Sequence, residues 1–285
     1  MNKNTKLILA VIVTILCISL ISGSMVLMME RKEKWPPDDI YVFNTKGYMA
    51  YETEEEITID ILLCSLHRNG KNPMEKYENI YFETDTGIRY QSDITSNIKE
   101  LLFDEGEIIS QSIVSFPLNG TFVSGNTLNF TKMILQNEEG REMVREFGNI
   151  EIELLQSSDL SKQTVIEIPT AYSARLDKFE YTIENKTKNE ITVQELYLGD
   201  DFNYKVAPVS VPELSAQEIR VDFLETEGFG DSPEYVILKP KFQMLADQGQ
   251  EYVCSAIGRT AYSGAISNAV LREYLWKCVN GEKIH

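Results

Sequence analysis

The sequence predicts a mainly β protein, arranged as an N-terminal transmembrane helix followed by two β-sandwich domains, with a C-terminal amphipathic helix. Three observations predict it: an uncharged apolar run from Leu7 to Met29, an alternation of apolar and polar residues through most of the chain, and a four-residue apolar repeat near its end. The expected boundaries are residues 1–35 for the anchor and its flanks, 36–158 for the first domain, and 159–285 for the second with its helix.

The run Leu7 to Met29 holds 23 residues without charge or proline. A helix of that length covers about 35 Å, enough to cross a hydrocarbon core of about 30 Å with some tilt. Thr14, Ser19, Ser22 and Ser24 inside it can hydrogen-bond back to their own helix. Lys3 and Lys6 mark one edge, and Glu30 to Lys34 with Trp35 the other, where Trp35 fits an interfacial aromatic. A cleaved signal peptide ending at Ser22-Gly23-Ser24 is the rival reading. The apolar run continues past that site through Met28, which favours a retained anchor. A lipid-modified Cys17 fits less well, because Thr14, Ile15 and Leu16 are not the small residues such a site uses. Lys and Arg on the two sides number two and three, and the short basic tail favours an inside N-terminus and a body outside the cell membrane.

The chain carries a formal net charge of −17, and the first 35 residues hold five basic residues against two acidic. The body is therefore more acidic than the whole chain. Phosphate backbones repel such a body, so nucleic acid is excluded as a partner class. Cys64, Cys254 and Cys278 lie beyond the anchor, an odd number whose spacing fits neither a zinc site nor a disulfide scaffold. In an oxidising compartment Cys254 with Cys278 is the preferred bridge; buried thiols are the alternative.

In the first domain, strands are expected at Ile40 to Phe43, Ile57 to Leu66 and Ile80 to Phe82. Ile113 to Leu118 and Thr121 to Val123 flank Asn119-Gly120, a pair suited to a type I′ hairpin. Leu128 to Leu135 and Met143 to Leu155 form another expected hairpin, and the polar stretch Gln156 to Gln163 reads as a linker. In the second domain, Phe179, Tyr181 and Ile183 share one strand face, as do Ile219, Val221 and Phe223. The segment Phe179 to Val193, with its Asn185-Lys-Thr-Lys-Asn189 turn, resembles the paired strands of bacterial immunoglobulin-like surface domains. The resemblance extends from about Thr164 to Ile257 and lacks the Cys, Trp and Cys of antibody-type domains. It implies adhesion, binding or spacing, without naming a ligand. After Ser263 or Ser267, the residues Ile266, Val270, Tyr274 and Cys278, with Leu271 and Leu275, give a helix whose stripe is expected to pack on the second domain.

The search for chemistry assigns no catalytic, cofactor or metal site. Only His67 and His285 are present, and Cys64 lies three residues from His67, on the opposite face of a strand. Glu83, Asp85 and Asp93 around Thr86-Gly87, and Asp200, Asp201 and Asn203 after Gly199, fit loosely as calcium loops but better as solvated turns. Tyr48, Tyr51, Tyr77, Tyr81 and Tyr90 offer an aromatic platform for sugar, with core packing as the plainer use. Asn119, Asn129 and Asn185 head glycosylation sequons. The expected function is a non-enzymatic, membrane-anchored, extracytoplasmic binding or scaffold protein of the cell envelope, with a protein or glycan partner and a place as accessory subunit of a membrane complex. The alternative is a carboxylate-dependent enzyme acting on envelope glycans, for which two acids about 5 to 10 Å apart would be needed.

Overall fold

The computed structural model describes residues 35–67, 73–92, 98–99, 109–169, 172–173, 178–199, 208–222, 234–263 and 268–280. The expected span Leu7 to Met29 lies outside them. Among the described residues no helix is long and apolar enough to cross a membrane. The chain divides into two compact units, one of Asp38–Ile266 and one of Met1–Pro37 with Ser267–His285.

The larger unit is mainly β. Its first half carries β1 (Ile40–Val42), β2 (Asn44–Glu52), β3 (Thr58–Leu66), β4 (Tyr77–Thr84), β5 (Arg89–Ser92), β6 (Ile98–Lys99), β7 (Ile109–Asn119), β8 (Thr127–Asn137) and β9 (Glu142–Leu155). Its second half carries β10 (Thr164–Glu167), β11 (Tyr172–Ser173), β12 (Lys178–Asn185), β13 (Ile191–Tyr197), β14 (Val209–Val211) and β15 (Ser215–Asp222). Then come β16 (Glu234–Lys239), β17 (Lys241–Leu245), β18 (Glu251–Ser255) and β19 (Thr260–Ser263).

Strand β2 is the centre of the arrangement. It pairs in parallel with β9 on one side and with β16 on the other. Parallel neighbours leave both faces of a strand to be covered, and Tyr48, Met49, Ala50 and Tyr51 are all buried. One continuous sheet thus runs β1-β3-β7-β5-β4-β8-β9-β2-β16-β19-β11, drawing strands from both sides of residue 158. The expected domain boundary is crossed by backbone hydrogen bonds.

Two further sheets complete the second half, β10-β12-β15 and β14-β13-β17-β18. They share one core, in which Phe179, Tyr181 and Ile183 of β12 meet Ile191 and Val193 of β13 and Phe242 and Met244 of β17. Period-two alternation predicted this use of β12, and Ile219 and Val221 of β15 are buried as expected; Phe223 lies outside the described residues. The strands β16 and β17 are interrupted at Pro240, which has no N–H to give a ladder. Their partners β19 and β18 are interrupted opposite, where Gly258 takes a φ of 85°. A single bent hairpin therefore supplies strands to the long sheet at one end and to the four-stranded sheet at the other.

One expectation is corrected. Thr121 to Val123 form no strand; β7 pairs instead with β3 and, at its end, with β5. Gly120 does not take the positive φ of a type I′ turn, and an added Cβ there would meet the Tyr90 ring at 3.0 Å. Phe122 stacks on the same ring with centroids 5.2 Å apart, so the stretch after Asn119 packs on an aromatic rather than turning back. The stretch read as a linker holds a 3-10 turn. Ser158 and Ser161 exchange backbone-to-hydroxyl bonds of 2.9 and 3.0 Å at a 3-10 turn over Ser161–Gln163, and Ser161 is buried. The expected hairpin of β8 and β9 is present.

The smaller unit contains α1 (Asn268–Asn280), with Leu271, Tyr274 and Leu275 buried along one side. Its contacts group it with Met1–Pro37, where its stripe was expected to meet the second half of the β body.

Candidate functional site

Buried charge gathers where the two halves of the β body meet. Lys239, the last residue of β16, is 4% exposed. Its Nζ donates to the Ala50 carbonyl at 2.7 Å and to Glu55 at 2.8 Å, and lies 4.4 Å from the centre of the Tyr51 ring. Burial lowers the Lys239 pKa, and the Glu55 carboxylate opposes that shift. Glu55 also accepts the Glu52 N–H at 2.9 Å and the Ser255 hydroxyl at 3.2 Å. A buried ammonium needs this kind of full coordination.

Next to it, the Arg259 guanidinium grips the Asp60 carboxylate with Nε and Nη2, while Nη1 donates to Thr58 Oγ1 at 2.7 Å and Nη2 to Ser115 at 3.2 Å. Asp60 is 3% exposed. Burial works against the Arg259 charge, but Tyr51 and Asp60 outweigh it and hold the guanidinium above its usual pKa. Asp60 and Ser115 come from β3 and β7, Arg259 from the turn before β19, so the pair clamps one layer of the first half to the bent hairpin.

On the other side of β2, Tyr48, Ala50 and Leu155 form a small core with Tyr197 and Val253. Tyr48 and Tyr197 meet edge to face at 4.8 Å. Glu153 accepts the Tyr48 hydroxyl and both bonds from Lys241, at 2.8 and 2.7 Å. Together these groups make a joint that is apolar on one face of β2 and ionic at its end.

A cleft of about 270 Å³ opens at the joint, lined among others by Glu52, Glu54, Glu55, Ser161, Lys162 and Ile257. Three carboxylates in one cleft are the arrangement the enzyme reading asks for. Each has a partner: Glu55 holds Lys239, Glu52 accepts the Ser161 hydroxyl at 3.2 Å, and Glu54 faces Lys162 at 3.6 Å. Glu55 thus ties the turn after β2 to β16, while Glu52 and Glu54 face the stretch before β10. A second depression, of about 450 Å³, lies among the turns at the end of the second half and is lined by Lys188, Glu190, Thr192, Glu213 and Asp247.

The outer face of β4 carries Asn79, Tyr81 and Glu83, all partly exposed. Tyr81, half-buried on β4, pairs across to Gln91 and Ile134. Amides lie beside it, with Gln91 donating to Asn79 and Asn79 to Gln136, each at 3.3 Å. Arg89 donates to Glu83 at 2.8 Å and reaches across β4 and β8 to Glu142 on β9 at 2.9 Å, while Lys132 reaches Glu83 at 3.0 Å. The bonds from Arg89, and then from Lys132, hold the Glu83 carboxyl below the usual range.

The sequence candidates fall as follows. Tyr48 and Tyr51 are buried and cannot form an exposed platform; of the five tyrosines, Tyr77, Tyr81 and Tyr90 keep partial exposure. Glu83 is taken by Arg89 and Lys132, and Asp85 accepts from Asn129. Asp93, Asp200, Asp201 and Asn203 lie outside the described residues, among which no His, Cys, Asp or Glu group could hold a metal ion. Cys64, Cys254 and Cys278 form no disulfide, and burial pushes the Cys254 thiol up. The His67 Nδ1 is buried without a hydrogen-bond partner, at the end of the described stretch. Asn185 is 1% exposed: its amide donates to Asn189, Val211 and Pro212 and accepts from Thr187, which rules out its use as a glycosylation acceptor in the folded chain. Sequence reading missed Asp60, Lys239 and Arg259, whose only signal was a charge inside an apolar strand or beside a Gly.

No family model and no curated protein matches the chain. Solved structures similar to it include a protein of unknown function from Porphyromonas gingivalis W83, at 9% identity, covering 76% of this chain and 98% of that one with a TM-score of 0.20. They also include fibronectin(III)-like modules of Clostridium thermocellum CbhA, at 8%, 78% and 94% with a TM-score of 0.20. A third is Bacteroides ovatus SGBP-B, from a mixed-linkage glucan utilization locus, in complex with a mixed-linkage heptasaccharide, at 10%, 77% and 43% with a TM-score of 0.22. At such TM-scores these likenesses carry no argument about this chain.

Proposed function

We propose that this chain is a membrane-anchored, non-enzymatic scaffold or binding protein of the cell envelope, with an extracytoplasmic body of two interlocked β-sandwiches, the second immunoglobulin-like. The observation that carries the reading is the joint: its acids and bases are spent on one another and on backbone groups, in positions that fix one half of the body against the other. A spacer needs that rigidity, and a catalytic pair would need acids available to substrate. The apolar run Leu7 to Met29 supports the anchor, and the acidic body suits a solvated position away from phosphate surfaces.

Location is tested by changing Gln248 to Cys and Cys278 to Ser, with Cys64 and Cys254 buried and shielded. A membrane-impermeant maleimide should label intact cells. Labelling only after lysis would overturn the extracytoplasmic body. A glycan partner is the reading favoured by Tyr81 among Asn79, Gln91 and Gln136, an aromatic ring flanked by paired donors and acceptors. If it holds, Tyr81→Ala abolishes retention of the body on immobilised envelope polysaccharide; equal retention of the variant and the parent sinks it.

A further inference from the structure

Rows of side chains cross β5, β4, β8 and β9 on one face, each row two residues further along the strands than the last. The first is Arg89, Glu83, Lys132 and Glu146, and the second is Gln91, Tyr81, Ile134 and Val144. The third has Asn79, Gln136 and Glu142. The two-residue step puts all of them on the same side of the sheet.

One bond runs out of line with these rows. Arg89 Nε donates to Glu83 in its own row at 2.8 Å, while Nη1 donates to Glu142, in the third row, at 2.9 Å. A bond from β5 in the first row to β9 in the third crosses the middle row between its ends, over Tyr81 and Ile134. Burial agrees: Ile134 is 0% exposed, whereas Val144 beside it in the same row is 47% exposed. The middle row is covered where the arginine crosses it and open where it does not.

The groups beneath and beside the crossing have a definite chemistry. Tyr81 and Ile134 offer an aromatic ring and an aliphatic side chain. Alongside, Gln91 donates to Asn79 and Asn79 to Gln136, and these bonds leave most of the N–H groups and oxygen lone pairs of the three amides over. Groups that both donate and accept suit hydroxyls, whereas a phosphate or carboxylate only accepts. Arg89 and Lys132 are already held by acids, in a chain of net charge −17, so an anionic ligand is disfavoured. An added peptide strand finds no edge, because β4 is paired on both sides, with β5 and with β8.

We infer that the Arg89–Glu142 bond is a removable strap over a site for an uncharged glycan, whose sugar face meets Tyr81 and Ile134 and whose hydroxyls meet Asn79, Gln91 and Gln136. The inference rests on the glycan reading of Tyr81 and adds the charge class of the ligand and a gate. Opening costs little, because the ion pair is exposed and Arg89 keeps its Glu83 bond while it leaves Glu142. Salt screens the strap but not an uncharged ligand, so affinity rises with ionic strength.

The test compares the full chain in detergent with its Arg89→Gln variant. Nitration of Tyr81 by tetranitromethane, read by peptide mass spectrometry against Tyr197 as reference, should be about two- to five-fold faster in the variant at low salt. Titration calorimetry with cellohexaose and mannohexaose, both uncharged, should show affinity for at least one of them rising by a similar factor in the variant, and in the parent on adding salt. Oligogalacturonate, which is charged, should not bind. Equal nitration, or a hexasaccharide affinity that neither the variant nor salt changes, overturns the strap and leaves the glycan reading of Tyr81 standing. Binding of oligogalacturonate alone overturns the uncharged class. If no hexasaccharide binds to parent or variant, the glycan reading falls and the inference with it.

Discussion

Arg259 and Arg89 each hold a carboxylate, Asp60 in one case and Glu83 in the other, yet the two pairs work under opposite conditions. Asp60 is 3% exposed and comes from a strand 199 residues away from its partner. Glu83 and Arg89 lie six residues apart on the outer face, where the arginine side chain is 42% exposed. The joint pair has no water to fall back on, so each member depends on the other. The outer pair exchanges protein partners for water at little cost. The same chemistry is structural in one place and decorative in the other.

Breaking the joint pair should therefore have the largest effect. Asp60→Ala leaves the Arg259 charge without its partner and is expected to cost about 3–5 kcal/mol, read as the shift in free energy from urea unfolding. Replacing both, with Asp60→Leu and Arg259→Met, should recover most of that loss. If the double variant is as unstable as the single, packing of the two side chains and not their charge holds the joint.

Gly47→Ala comes next. A Cβ at that position would lie 2.3 Å from the Ile237 carbonyl oxygen, backbone that cannot swing away. Separating β2 from β16 is expected to cost about 1–3 kcal/mol, measured in the same titration. A change within error would mean that the parallel pairing has slack.

pH separates the two regions by sign. Burial raises the pKa of Tyr48 and Tyr51 at the joint above the usual 10.0, and takes Tyr252 in the second-half core to about 12. Below pH 10 these phenols are protonated whether the chain is folded or not, and their contribution is intact. Between pH 10 and 12 the unfolded chain ionises first, so stability falls as pH rises. Glu83 acts at the other end. Its lowered pKa contributes stability above the usual 4.5 that is lost as pH falls through the folded value. A melting profile should fall steeply on the alkaline side and shallowly on the acid side; the reverse asymmetry would contradict this division.

The smallest effect is expected from Arg89→Gln. Its unfolding midpoint should match the parent in about 1 M salt, where the Debye length is about 3 Å against about 30 Å at 0.01 M. A salt-independent loss would place this arginine among the structural groups.

The legible part of the sequence is the part where one face of a strand is wet. β12 and β15 alternate cleanly because their outer residues meet solvent, and α1 announced itself by its four-residue repeat. β2 was illegible for the opposite reason: with parallel neighbours and two covered faces, Tyr48 to Tyr51 is a continuous buried run with no period to read, and its two tyrosines take the plainer of the two uses open to them, core packing. Within the stretch read as a linker, Ser158 and Ser161 satisfy one another locally, which composition does not reveal. Asp60, Lys239 and Arg259 carry little local signature beyond a charge in an apolar strand or beside a Gly, since their partners come from distant segments and only the fold brings them together.

The parallel pairing of β2 also decides how the body meets a mechanical load. A pull at Asp38 passes β1, which pairs with β3, and then runs along β2, whose hydrogen bonds to β9 and β16 lie across the direction of pull on both sides. Such bonds are loaded together instead of being unzipped one at a time. A tug from the Asp38 side would therefore be resisted at β2 by two ladders at once, and by the bond from Lys239 of β16 to the Ala50 carbonyl of β2.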